Sequence, residues 1–359
     1  MSARSLEFVI PGDLEAASGG YAYDRRMIAG LPDHGWQVTV HGLDASFPQP
    51  SRAALDQASN VFARLTQHAL VLVDGLAGGA MPQVLHAHAT RLKLVALVHH
   101  PLAAESGLAP DIALQLAALE RLALKAMRHV LVTSQTTKRC LQAYGIDSDH
   151  VSVVEPGTDA APLARHARGE ILRMLCVATL IPRKGHDLLF EALAPLAGVP
   201  WQLTCVGSLN RSPATVAQLR TQLRRLGLER RVALVGEVDD AALAQLYAAA
   251  DLFVLPTRLE GYGMAVAEAL SHGLPVISTH TGAIAELVGT QAGLLVAPGD
   301  AGELQSVLAQ VLNDPARLES FAAGAAKVRS TLPDWRQSCA RMAQVLAGVE
   351  LQHPSHRHG

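Results

Sequence analysis

DLFVLPTRLEGYGMAVAEALSHGLPVIST, residues 251–279, decides how this chain folds. It opens on an apolar run, passes through a loop carrying Gly261 and Gly263, continues from Met264 with helical spacing of its apolar residues, and closes on a second strand-like run, LPVIS at 274–278. Short apolar runs bounded by turn residues read as strands buried on both faces, the mark of a parallel sheet wrapped by crossover helices. The loop glycines let the backbone approach a ligand closely. A helix starting just after them offers unpaired N–H groups and the positive end of its dipole. A diphosphate suits such a place. An isolated G-x-G marks only a turn; here the order strand, loop, helix, strand carries the reading.

Outward from this segment the same alternation fills the chain. Strand-like runs lie at 6–10, 36–40, 69–73, 93–98, 129–133 and 151–154, and the rhythm restarts at 173–178, 201–207, 231–236 and 251–256 before ending at 274–278 and 293–297. Between the two sets lies a Pro/Gly/Ala-rich interval, 156–170, read as a linker. The expectation is an α/β protein of two Rossmann-like domains, 1–160 and 170–334. A helix at 335–350 is expected to cross back to the first domain, with a disordered tail at 351–359. Doubly wound sheets bind ligands beyond the carboxyl ends of their strands, so two facing sheets imply a cleft.

Composition limits the partners. At 359 residues the chain suits two domains, and 49% apolar residues with a net charge of −2 indicate neither disorder nor a strongly basic nucleic-acid surface. Aromatic content of 4% leaves no stacking platform for single-stranded nucleic acid. The four cysteines, Cys140, Cys176, Cys205 and Cys339, show no metal or disulfide spacing, which fits a reducing, cytoplasmic setting. No run has the length of a membrane span. The basic amphipathic stretch 218–231 would permit peripheral contact with an anionic membrane, although such a run is more often a solvated helix face.

The remaining candidate residues cluster at strand ends. Arg183 and Lys184 follow the first strand of the second half, where two cations would neutralise a departing diphosphate. Beside phosphates a carboxylate repels, so Glu260 and Glu268 must face sugar hydroxyls, ribose or a developing cation. Gly19 and Gly20 precede a helix after the first strand, and the Gly20 N–H is expected to contact ligand. His99 and His100 end a strand, and alternation sends them to opposite faces, so one at most meets the ligand. Glu105, Ser134 and Glu286 are weaker candidates of the same kind, while Asp239–Asp240 reads as a helix cap. No Asp-x-Asp stands at a strand end to hold a divalent ion, so no metal is expected.

Two glutamates flanking seven residues, Glu260 to Glu268, followed by Gly273–Leu274–Pro275–Val276, resemble the signature of the family 4 glycosyltransferases of GT-B fold. The likeness covers nearly the whole chain and is weaker over 43–90. It implies two facing Rossmann-like domains with a deep cleft between them. It also implies retaining, metal-independent transfer of a sugar from a nucleotide diphosphate donor to an acceptor that the sequence does not name. By the same likeness Glu260 lies near the donor sugar, Glu268 holds the ribose, and Gly261, Tyr262, Gly263 and Met264 line the donor site. Lys184 grips the diphosphate, His99 touches the transferred sugar, and the Gly19–Gly20 loop reaches phosphate or acceptor. One departure stands out: Thr179 occupies a place where the family usually has Arg, so Arg183 would supply the second cation from a shifted position. Two rivals stay open, a nucleotide-sugar 2-epimerase of the same fold and a catalytically silent sugar-nucleotide-binding protein. A dehydrogenase is disfavoured, because neither opening βα turn carries G-x-G-x-x-G.

Overall fold

A computed structural model describes residues 4–16, 18–105, 107–164 and 171–351. Part of the expected linker, 165–170, and the tail from 352 onward lie outside the described residues. The chain divides into two compact units. One comprises Met1–Gly157 together with Pro333–Gly359, the other Thr158–Leu332.

The first unit is built on six parallel strands: β1 (Arg4–Pro11), β2 (Trp36–Leu43), β3 (Leu70–Asp74), β4 (Lys93–Val98), β5 (His129–Val132) and β6 (Val151–Val153). Their spatial order is β2-β1-β3-β4-β5-β6. The second unit repeats the plan with β7 (Leu172–Val177), β8 (Trp201–Val206), β9 (Val232–Gly236), β10 (Leu252–Leu255), β11 (Val276–Thr279) and β12 (Gly293–Val296). Here the order is β12-β11-β10-β7-β8-β9, the doubly wound order of a dinucleotide-binding fold. Each strand expected from the sequence is present, with ends shifted by at most three residues.

The central strands are apolar on both faces because helices cover both. Every residue of β3, β5, β10 and β11 is buried. Polar groups inside these strands find backbone partners: Ser278 Oγ donates to the Leu255 carbonyl and Thr279 Oγ1 to the Thr257 carbonyl, both at 2.5 Å, tying the ends of β10 and β11 together.

Beyond β12 the chain is helical, and its last helix, Trp335–Leu351, belongs to the first unit. It lies against the Gly19–Gly30 helix. The Cys339 thiol approaches the Arg26 carbonyl at 3.7 Å, Trp335 meets the Tyr23 ring edge-on at 6.1 Å, and the Arg26 guanidinium lies 5.4 Å over Trp335. Among the described residues no helix is long and apolar enough to cross a membrane.

Candidate functional site

In an open parallel sheet the loops after two neighbouring strands diverge where the strand order reverses, and the crevice so formed is the usual ligand site. In the second unit that point lies between β7 and β10. The loop after β7 carries Arg183 and Lys184 in a single 3-10 turn, Pro182–Lys184, and the loop after β10 carries Glu260. All three meet. Lys184 Nζ binds both carboxylate oxygens of Glu260, Oε1 closely and Oε2 at 3.1 Å, and Arg183 Nη1 lies 3.6 Å from Oε1. Arg183 Nη1 also donates to the Leu259 carbonyl at 2.9 Å. So Arg183 is the second cation on this carboxylate.

The loops are locked by their backbones. Arg258 N–H and Thr257 Oγ1 both donate to the Arg183 carbonyl, at 2.7 and 3.2 Å, and the Arg258 guanidinium grips Asp187 at 2.7 Å. Burial of the Asp187 carboxyl opposes its charge, but the Arg258 contacts outweigh that and hold it below the usual carboxylate value. Gly185 ends the 3-10 turn at φ +73°, and a Cβ there would stand 2.0 Å from the Pro256 carbonyl oxygen, so only glycine lets the two loops close on each other.

Gly263, at φ +97°, is the N-cap of the Met264–Ser271 helix, which begins where the sequence places it. This cap has no side chain to accept from the first N–H groups; the Gly263 carbonyl takes those of Val266 and Ala267 at 2.9 and 3.0 Å, ahead of which stand Met264 and Ala265 at the positive end of the helix. Glu268 stands on this helix, half-buried, and Tyr247 Oη donates to its Oε2 at 2.9 Å. Tyr247 is itself stacked on His272 at 4.9 Å. Burial and then the Glu268 charge push the phenol well above its usual value, so it stays a neutral donor. Tyr247 escapes a sequence reading because it sits on another helix, Asp240–Ala249, as an ordinary apolar-face residue. Tyr262 is buried, whereas Gly261 and Met264 are partly accessible.

The first unit assembles its own cluster at its switch point, between β1 and β3. His99, at the end of β4, directs Nε2 to Asp24 Oδ1 at 3.4 Å and to Asp74 Oδ2 at 3.7 Å. Both acids are fully buried, and neither was visible in the sequence as a partner of His99. His100 turns the other way, to Glu105 at 3.8 Å, as strand alternation requires. Gly20 packs on the His99 ring: a Cβ there would meet Cδ2 at 3.4 Å. Gly19 and Gly20 are, however, the first two residues of the helix, not a loop before it. Ser18 takes the cap position, accepting from the Tyr21 N–H at 3.2 Å, which draws the helix start forward.

Two of the weaker candidates sit on helices. Ser134 is a buried N-cap that accepts from Thr137 N–H at 3.0 Å, and Glu286 is exposed in the short Ile284–Val288 helix instead of a loop. Asp239 caps its helix through Ala242 N–H at 2.8 Å. The scattered cysteines do not all stay apart: Cys176 and Cys205 are register neighbours on β7 and β8, and Cys176 Sγ lies 3.6 Å from His186 Nε2. The hydrogen bond to Cys205 and the His186 charge, against the cost of burial, lower the Cys176 thiol to about 5.

Comparison with known proteins gives a family match in each unit. The family described as Glycosyltransferase Family 4 matches residues 19–161, and that described as Glycosyl transferases group 1 matches residues 172–314. D-inositol 3-phosphate glycosyltransferase 2 of Catenulispora acidiphila is 32% identical over 238 residues, which is 61% of this chain and 56% of that protein. Hence the chain spans little more than half the length of such curated relatives. Sucrose-phosphate synthase from Thermosynechococcus elongatus superposes with a TM-score of 0.82 at 22% identity, over 96% of this chain and 99% of its own. The Anabaena protein HepE, solved in complex with UDP-glucose, gives 0.76 at 20% identity, over 96% and 99%.

Proposed function

For a chain that belongs to the family 4 glycosyltransferases of GT-B fold, we propose transfer of a sugar from a nucleotide diphosphate donor, with retention of configuration and without a metal, to a hydroxyl-bearing acceptor. The observation that carries this reading is the meeting of Arg183, Lys184 and Glu260 at the β7/β10 switch point, directly before a helix N-terminus capped by glycine.

Each group has a task in this reading. Lys184 and Arg183 exchange part of their hold on Glu260 for the diphosphate, whose charge grows as the glycosidic bond breaks. Preorganised cations aimed at that developing charge act without reorganisation. The N–H groups after Gly263 take further phosphate oxygens. Glu268, oriented by Tyr247, accepts from the ribose hydroxyls, and Glu260 faces the donor sugar and steadies its oxocarbenium character. The leaving phosphate itself removes the acceptor proton. His99 of the first unit donates to a sugar hydroxyl. Metal independence is proposed from the chemistry of the groups present: the loops at the switch point present two cations where a metal-dependent site would present carboxylates.

The relatives support the chemical class: one is a D-inositol 3-phosphate glycosyltransferase, and the HepE structure holds UDP-glucose. The test is a thermal-shift panel of UDP, GDP, ADP and TDP with their sugars, run with and without EDTA. One nucleotide series should stabilise the protein equally in both buffers. Stabilisation by none of them overturns the donor assignment, and stabilisation abolished by EDTA overturns metal independence.

A further inference from the structure

The His99 cluster contains more charge than contact with a sugar requires. Two carboxylates, both wholly buried, stand against a single imidazole. Neither oxygen of Asp24 accepts a hydrogen bond of good geometry, although the side chain is 0% exposed, and His99 Nε2 lies 3.4 Å from its Oδ1. A buried carboxylate without a counter-charge costs several kcal/mol, so an acid kept in such a place needs a cation beside it.

The surroundings identify that cation. Asp24 and Tyr23 face the ring from the Gly19–Gly30 helix, and Asp74 faces it from the end of β3. Tyr23 presents its ring edge-on to His99 at 5.5 Å while its hydroxyl donates to the Val154 carbonyl at 3.0 Å, so the phenol is engaged elsewhere. From the β5 end, Thr133 and Thr137 donate to the His99 carbonyl at 3.2 and 3.3 Å and fix the backbone. Arg25 donates to the Leu14 carbonyl and Arg26 lies over Trp335, so both arginines of this helix are turned to other partners.

We propose that Asp24, assisted by Asp74, is a positioning residue that keeps His99 an imidazolium with Nε2 turned inward, leaving the rest of the ring to meet substrate as a fixed cationic donor. The substrate part of this rests on the transferase reading given above; the protonation part does not. With His99 and one of the two acids protonated, the cluster is electrically neutral, the arrangement that burial penalises least. Burial works against the imidazolium, and Asp24 followed by Asp74 outweighs it, raising His99 above the ordinary imidazole value. Asp74 is pushed up to about 7, first by burial and then by Asp24. The charged ring therefore persists to higher pH than an ordinary imidazole does and is lost as pH rises through its raised value. Transfer should fall along that same alkaline limb.

The experiment has two arms. In the first, the intact protein carrying histidine labelled at Cε1 is titrated by NMR without any ligand, the His99 signal being assigned by its loss in His99→Gln. Asp24→Asn should move the His99 midpoint acidward by about one pH unit or more. Asp74→Asn should move it less; Asn keeps the oxygen that Leu76 N–H contacts at 2.9 Å, so this variant serves if Asp24→Asn does not fold. In the second, the pH profile of sugar release from UDP-glucose and GDP-mannose should show its alkaline limb displaced by the same amount. An unmoved His99 midpoint in both variants overturns the proposal. A displaced midpoint with an unmoved limb overturns the claim that the imidazolium serves the reaction. A displaced midpoint with no sugar release from any donor counts against the transferase reading and leaves the assignment of Asp24 standing.

Discussion

The two units place a charge cluster at the same point of a doubly wound sheet and fill it with opposite chemistry. At the β1/β3 point one imidazole stands against two carboxylates; at the β7/β10 point one carboxylate stands against two cations. The backbone device is shared, since divergent loops at a strand-order reversal open a crevice whatever the side chains are. Side chains then set the sign. An excess of cations suits a departing diphosphate, and a buried acid pair suits the upkeep of a single positive hydrogen-bond donor. The teaching of this pair is that a repeated fold carries no repeated function: each site must be read from its charges.

Breaking the second cluster gives the largest effect. Lys184→Ala should lower kcat about 10²–10³-fold, about 3–4 kcal/mol of transition-state stabilisation, and should remove the nearer of the two cations that hold Glu260. Steady-state kinetics with the nucleotide sugar that wins the thermal-shift panel measures it; a drop below threefold removes Lys184 from the mechanism. Next comes the glycine that opens the adjoining helix. Gly263→Ala forces a Cβ into φ +97° and within 3.1 Å of Ile284, so it should cost about 2 kcal/mol of stability, read as a lowered denaturant midpoint.

Finer changes separate the tasks inside the second site. Glu268→Gln should weaken nucleotide binding about tenfold, about 1.4 kcal/mol by calorimetry, with a smaller effect on kcat. Equal affinity in the variant would release Glu268 from the ribose. The smallest expected effect returns to the first unit, where a side chain caps the helix that the second unit caps with backbone alone. Ser18→Ala should cost about 1 kcal/mol in thermal unfolding, because the Tyr21 N–H then loses its acceptor.

What was legible in the sequence was set by the range of the interaction. Strands such as β3 and β10 are apolar on both faces, and a continuous apolar run between turn residues survives any uncertainty about neighbours. The Gly263 helix start and the Asp239 cap are local too, resolved within a few residues. Asp24, Asp74 and His99 belong to three elements that only the strand order brings together, and each alone looks like a common polar residue. The same holds for Tyr247 with Glu268, and for Cys176 with Cys205, whose contact is a matter of strand register. Arg183 was legible as a cation and its target was not, because its guanidinium crosses from one loop to the next.

The C-terminal helix has a consequence for synthesis. Its Trp335 backs Tyr23, which in turn flanks His99, yet the unit it completes begins at the amino end of the chain. On the ribosome the second unit, Thr158–Leu332, emerges whole and can close its sheet while the first still lacks its last piece. The face of the Gly19–Gly30 helix that packs on the last helix therefore stays uncovered until Trp335–Leu351 has emerged. Completion of the His99 surroundings thus waits on a helix that follows the whole second unit in the chain, so the earliest-made residues of the site are the last to be backed.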